Sequence, residues 1–205
     1  MTSQKSTASA KAPQRQRGRE RVASLLDAAA ACFVDKGYEA ATMTEIAARA
    51  GAAIGSLYQF FPTKEALAHA LMTQYTQSLQ QHLQQLAAQS GDWNDDQLGT
   101  QLIRLLVAFR RRHPAFAVLA ESLASLPAVR GLAIRQHLRE GLQELLGQRI
   151  THLSSSELHA AAVVVLQLMK AAVALSAEVG LVGRKSALEQ LERALQLYLA
   201  SLAKR

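Results

Sequence analysis

Tyr58 and Gln59 are the side chains of this sequence with the plainest recognition chemistry. A phenol can donate or accept a hydrogen bond, and a carboxamide can pair bidentately with the edge of an adenine. Both can act only if they are held out of the core. Leu57 and Phe61 lie four apart, share one helix face, and so turn Tyr58 and Gln59 towards solvent. Upstream, Thr42 with Glu45 three residues on spells a capping box for another short helix, and Ile46, Ala47 and Ala50 give it a small apolar face. Between the two, Gly51 supplies a position where positive φ is cheap and the chain can turn sharply. Two short helices broken by a glycine turn are the layout of a helix-turn-helix, in which the second helix enters the DNA major groove. Gly55 and Ser56, early in that second helix, lack bulk and permit close approach.

The order and spacing of Gly37-Tyr38, Thr42, Glu45-Ile46-Ala47, Ala50-Gly51, Gly55, Leu57-Tyr58, Phe61, Lys64-Glu65 and Leu67 resemble the N-terminal signature of the tetracycline-repressor (TetR) family of bacterial transcription regulators, over residues 19–72. The resemblance places the Thr42 hydroxyl and the Tyr58 phenol against phosphates, and gives Lys64 a further phosphate to neutralise. Such contacts set register and carry little sequence information. Thr44 joins them on the DNA-facing surface, and Gln59 is the candidate for reading a base. The chain departs from the family pattern at Ala53-Ile54, where many relatives carry a hydroxyl and then a basic residue, and at Phe60, where histidine is common. The second helix is therefore uncharged, which shifts the electrostatic load to Lys64 and the basic N-terminal segment. Ile54 could pack on a thymine methyl.

That segment holds Lys5, Lys11, Arg15, Arg17, Arg19 and Arg21 against Glu20 alone, and so carries most of the formal +7 of the chain. It reads either as a solubilising tail or as an arm that follows the DNA backbone. With 205 residues, 49% hydrophobic residues and only 4 prolines, the chain is long enough for a real core and favours an all-α protein. Cys32 is its single cysteine, so no internal disulfide can form, and a small buried hydrophobe is its expected role. The N-terminus is polar and basic with no apolar core behind it, so no secretory signal is expected. The apolar stretch from Leu158 to Val182 is broken by Lys170 and Glu178 into runs too short to span a bilayer. A cytoplasmic protein is expected.

Helical spacing predicts a first helix from about Arg19 to Lys36, with Gly37 at its stop. Thr63 caps a long fourth helix with Leu67, Leu71, Tyr75, Leu79, Leu83 and Leu86 on one face and glutamines on the other. Asn94-Asp95-Asp96 opens a fifth helix and Arg110-Arg111-Arg112 closes it, as the helix dipole favours. A short helix through Phe116, Leu119 and Leu123 should stop before Pro127, with a seventh from about Ala128 to Ile150. Ser154 with Glu157 and Ser186 with Glu189 are two further capping boxes. The helix after the first of these, to about Val179, is apolar nearly all round and needs cover on more than one side. Its small-residue face around Ala172, with the leucine stripe of the last helix, suggests a four-helix interface between two copies.

Residues 1–18, polar and without periodicity, are expected to be a disordered basic arm, and the resemblance implies 19–66 as a helix-turn-helix domain and 67–205 as a ligand-binding and dimerisation domain. It also implies a homodimeric, ligand-responsive repressor of a palindromic operator, with a cavity among helices four to eight for a small, often hydrophobic effector. Phe109, Phe116 and Met169 would wall that cavity, and His113 and His137 could line it. No nucleophile motif, metal-ligand spacing or glycine-rich phosphate loop stands in the sequence, so neither an enzyme nor a cofactor or metal site is expected. Two rivals stay open: a nucleic-acid packaging protein of low specificity, and a helical small-molecule carrier or enzyme that has lost DNA binding.

Overall fold

In the computed structural model, residues 11–122 and 130–204 are described, and they form nine α-helices with no strand. The chain divides into two compact units, residues 1–71 and 72–205. The N-terminal unit holds α1 (Lys11–Ala40), α2 (Met43–Arg49), α3 (Ile54–Phe60) and the start of α4 (Lys64–Gln89). The C-terminal unit holds the rest of α4 with α5 (Asp95–Arg112), α6 (Pro114–Ser122), α7 (Arg130–Arg149), α8 (Ser155–Ala177) and α9 (Arg184–Ala203).

α1 starts earlier than its apolar spacing predicted, so Lys11 to Gly18 are helical rather than structureless. The first ten residues of the expected arm, Lys5 among them, lie outside the described residues, as do Leu123, Pro127 and Ala128. Gly37 interrupts α1 with φ 79, the left-handed conformation glycine adopts without strain. Leu25, Ala29 and Phe33 of α1, Ile46 and Ala47 of α2, Leu57 of α3 and Leu67 of α4 are almost fully buried and make the core of this unit.

In the C-terminal unit α8 is central, packing against α5, α7 and α9. Ala161, Ala162, Val165, Leu166, Met169, Ala172 and Val173 are its buried residues. By length and composition alone, with a mean hydropathy of 1.9, α8 is apolar enough to cross a membrane. Its packing against three neighbours is that of a core helix. Ala172, expected on a face between two copies, is 0% exposed inside its own chain. The outward side of α8 carries Val164, Ala171 and Ala174 instead.

Asn94 and Ser154 cap α5 and α8 through complete capping boxes with Gln97 and Glu157. The box expected at Ser186 does not form. α9 begins earlier, at Arg184, behind a left-handed Gly183 with no side-chain cap. Where α5 crosses α9, Gly99 faces Gln196 so closely that an added Cβ would stand 2.9 Å from its Cγ. Gln196 Nε2 donates to the Asp96 carbonyl at 3.3 Å and the Thr100 hydroxyl at 3.2 Å, and that hydroxyl donates to Glu192. Arg149, at the end of α7, donates to the Ser90 and Trp93 carbonyls, both at 2.5 Å, and so staples the α4–α5 connection.

Candidate nucleic-acid interface

α2 starts at a complete capping box. The Glu45 amide donates to Thr42 Oγ1 at 3.3 Å, and the Thr42 amide and hydroxyl donate to Glu45 Oε2 at 3.1 and 2.9 Å. The Glu45 carboxylate also pairs with Lys36 on α1, and its pKa is lowered by that lysine first and by Thr42 second. Arg49, in the last turn of α2, bonds Asp35 at 2.5 Å. α2 is thus tied to α1 by one ion pair near each of its ends. Its C-terminus closes with Gly51 at φ 59: the Ala52 amide donates to the Ala47 carbonyl at 2.9 Å and the Gly51 amide to Ala48 at 3.1 Å. That paired pattern is a Schellman motif, which reverses the chain within a few residues.

α3 leaves this turn with Ala53 at its N-cap and no side-chain cap. Leu57 is its buried residue and Phe61, just past its end, is buried too, as the four-residue spacing predicted. Gly55 and Gln59, one turn apart, lie on the opposite side and are exposed. Tyr58 (49% exposed) and Ile54 (39%) form one flank, while half-buried Ser56 and Phe60 (41%) form the other. Thr44 is exposed in the first turn of α2. An added Cβ on Gly55 would meet nothing within 4 Å, and its φ is not left-handed. Neither packing nor backbone therefore explains that glycine.

Two predicted phosphate contacts already have partners within the chain. The Thr42 hydroxyl serves the capping box. Lys64 Nζ donates to the Tyr38 and Glu39 carbonyls, each at 2.8 Å, and lies 4.7 Å from the centre of the Tyr38 ring. No spacing in the sequence announced that anchor, because its ends are more than twenty residues apart. The Tyr38 hydroxyl is buried with no well-formed hydrogen bond among the described residues. Burial first, and then the Glu65 carboxylate acting through its charge, push its pKa up to about 12.

The residues expected around an effector do not all meet. Phe109, His113 and Phe116 pack together, with ring centres 4.5 Å apart for Phe109–His113 and 5.5 Å for Phe109–Phe116. Tyr75 and His82 of α4 complete the cluster, at 5.1 Å from His113 and 6.1 Å from Phe109 respectively. Tyr75 was legible as part of the α4 apolar face, whereas His82 was hidden among glutamines. The His113 pKa is lowered, first by burial and then by the His82 and Arg112 charges. Met169 is buried in α8 and His137 is exposed on α7. A separate cleft of about 250 Å³ runs between α4 and α7, lined by Leu83, Ala87, Gly141 and Leu145 among others, and includes none of the five predicted residues.

Residues 25–71 match the model of bacterial regulatory proteins of the tetR family, and residues 96–199 match that of the tetracyclin repressor-like C-terminal domain. The A-factor receptor protein of Streptomyces griseus is 46% identical over 57 residues, 28% of this chain and 21% of that protein. The HTH-type transcriptional activator FasR of Mycolicibacterium smegmatis is 47% identical over 60 residues, 29% of this chain and 27% of that protein. The chain thus spans only about a quarter of the length of these curated relatives in the matched region. A crystal structure of a TetR-family transcriptional regulator from Streptomyces coelicolor superposes with a TM-score of 0.68 at 23% identity, over 89% of this chain and 99% of that one.

Proposed function

This chain belongs to the tetR family of bacterial regulatory proteins, and on that premise we propose that it is a ligand-responsive repressor that binds a near-palindromic DNA site as a homodimer. Gly55 is the observation that carries the reading. A glycine inside a helix costs roughly 0.5–1 kcal/mol relative to alanine, and here no neighbour within the chain requires it. A surface that must let a DNA backbone or base edge come close does require it. The exposed Gly55–Gln59 line would then face the groove, with Thr44, Ser56 and Tyr58 placed to set register on phosphates. A carrier without DNA binding gives no reason for a bare, exposed glycine on the short helix α3. The domains are read as a DNA-binding head and a regulatory body, with the basic residues from Lys5 to Arg21, most of them in α1, adding charge. A regulator of the chromosome works in the cytoplasm and has no need of enzyme chemistry.

Selection of duplexes from a random-sequence pool, followed by binding of the enriched duplex to Gly55→Ala, tests this. The variant should melt higher than wild type yet lose about 1–3 kcal/mol of binding, an estimate taken from general contact energies. A more stable variant that binds equally well removes the reading.

The dimer would form through the outward sides of α8 and α9, where Val164 (40% exposed) and Leu197 (55%) stand with Ala171 and Ala174. Twofold symmetry would set two heads ~34–36 Å apart, on successive major grooves. Val164→Glu with Leu197→Glu should yield monomers by light scattering and lose specific binding together. A wild-type monomer at micromolar concentration contradicts the dimer. For the effector, the aromatic group of Tyr75, Phe109, His113 and Phe116 is the proposed apolar wall, which suits a small hydrophobic molecule. Its binding would be coupled reciprocally to DNA affinity.

A further inference from the structure

Lys64 was expected to meet a phosphate, and its surroundings give it a different task. Its ammonium has three N–H donors, and two of them are occupied by the Tyr38 and Glu39 carbonyls at 2.8 Å. The face of the Tyr38 ring, 4.7 Å away, adds a cation–π contact. That ring is itself held in the core against Phe33, with centroids 5.5 Å apart. The two carbonyls belong to the last turn of α1, after the Gly37 break and shortly before Thr42, the N-cap of α2. Carbonyls at a helix end lack intrahelical partners and carry partial negative charge, so an ammonium satisfies them and opposes that charge at once.

We propose that Lys64 is a positioning residue, an intramolecular latch that fixes the Tyr38–Glu39 corner and with it the start of α2, rather than a phosphate contact. Its influence on DNA binding passes through the placement of α2, and so rests on the reading of this protein as a DNA-binding regulator. The latch itself does not depend on DNA.

The two roles give different salt dependences. A lysine that neutralises a phosphate contributes to counterion release, so its loss flattens the plot of log K against log salt by about one. Loss of a latch lowers affinity by the same factor at every salt concentration. The full chain and its Lys64→Met variant should therefore give parallel lines on the duplex enriched by the wild type, the variant severalfold weaker. Lines that differ in slope by about one and converge at high salt overturn the latch.

A second measurement needs no variant. In wild type without DNA, the Lys64 ammonium proton–nitrogen resonance should be shifted upfield by the Tyr38 ring, and it should stay in place when the duplex is added. A resonance at the ordinary lysine position, or one that moves on adding DNA, overturns the proposal even if the variant fails to fold. If the wild type enriches no duplex, the DNA-binding reading fails, and the resonance of the free protein still decides the latch.

Discussion

α2 and α8 begin with the same device and are then held in different ways. Each opens on a hydroxyl capping box, Thr42 with Glu45 and Ser154 with Glu157. α2 has 7 residues, of which Met43, Ile46 and Ala47 are buried, and polar bonds to α1 flank it on either side. α8 has 23 residues and buries seven apolar side chains among three other helices. A cap of about 1 kcal/mol matters to a short helix and is minor beside apolar burial of that extent. The same contrast extends to the units. The N-terminal one fixes small elements with caps, a Schellman turn, ion pairs and the Lys64 anchor, which leaves α3 free to present an exposed surface. The C-terminal one has capping boxes and the Arg149 bonds too, but adds to them extensive leucine and alanine packing and an aromatic cluster. A fixed reading surface asks for local geometric constraint, whereas a helical body asks for a continuous core.

The sharpest way to break this contrast is one truncation in each unit. Leu57 is the buried residue of α3, while Leu146 in α7 has buried Leu142 and Leu145 beside it. Leu57→Ala and Leu146→Ala should each cost about 2–5 kcal/mol. Only Leu57→Ala should detach α3 and abolish DNA binding in material that is still largely helical by circular dichroism. Retained binding in Leu57→Ala would mean that α3 is held by something other than that one contact.

A smaller effect comes from acid. The His113 pKa is lowered from 6.5 in the fold, so the folded state takes up its proton less readily than the unfolded chain. Its contribution is fully present above pH 6.5 and is lost as the pH falls from there through the lowered folded value. The Glu45 pKa is lowered from 4.5, so its contribution is present above that value and is lost only on further acidification. The C-terminal unit should therefore weaken first as the pH drops. Trp93 is the single tryptophan and lies in that unit, so its fluorescence during thermal melts at successive pH values reports the first step. A melting temperature that holds steady from pH 7 to 5 would remove His113 from this account.

Local signals were legible in the sequence because their partners lie within a few residues. The capping boxes at Thr42 and Ser154, the Gly51 turn and the Leu57–Phe61 face all stand as the residue types required. The box at Ser186 failed although its letters were right. A left-handed Gly183 starts α9 earlier and leaves Ser186 inside the helix. A pattern states what a residue can do, and the competing start decides whether it does so.

The sequence by itself determined an all-helical chain, the helix-turn-helix with its exposed Tyr58 and Gln59, and a C-terminal part built on apolar helical faces. Only the tertiary structure decided that Ala172 faces its own core, that His82 joins Phe109 and His113, and that Lys64 is bound to the carbonyls of Tyr38 and Glu39. The reason is one of range. Helix periodicity and capping act within about four residues and are written in the order of the chain. Which side of an apolar helix is covered, and which distant carbonyl an ammonium finds, are settled by packing between segments that sequence spacing does not bring together.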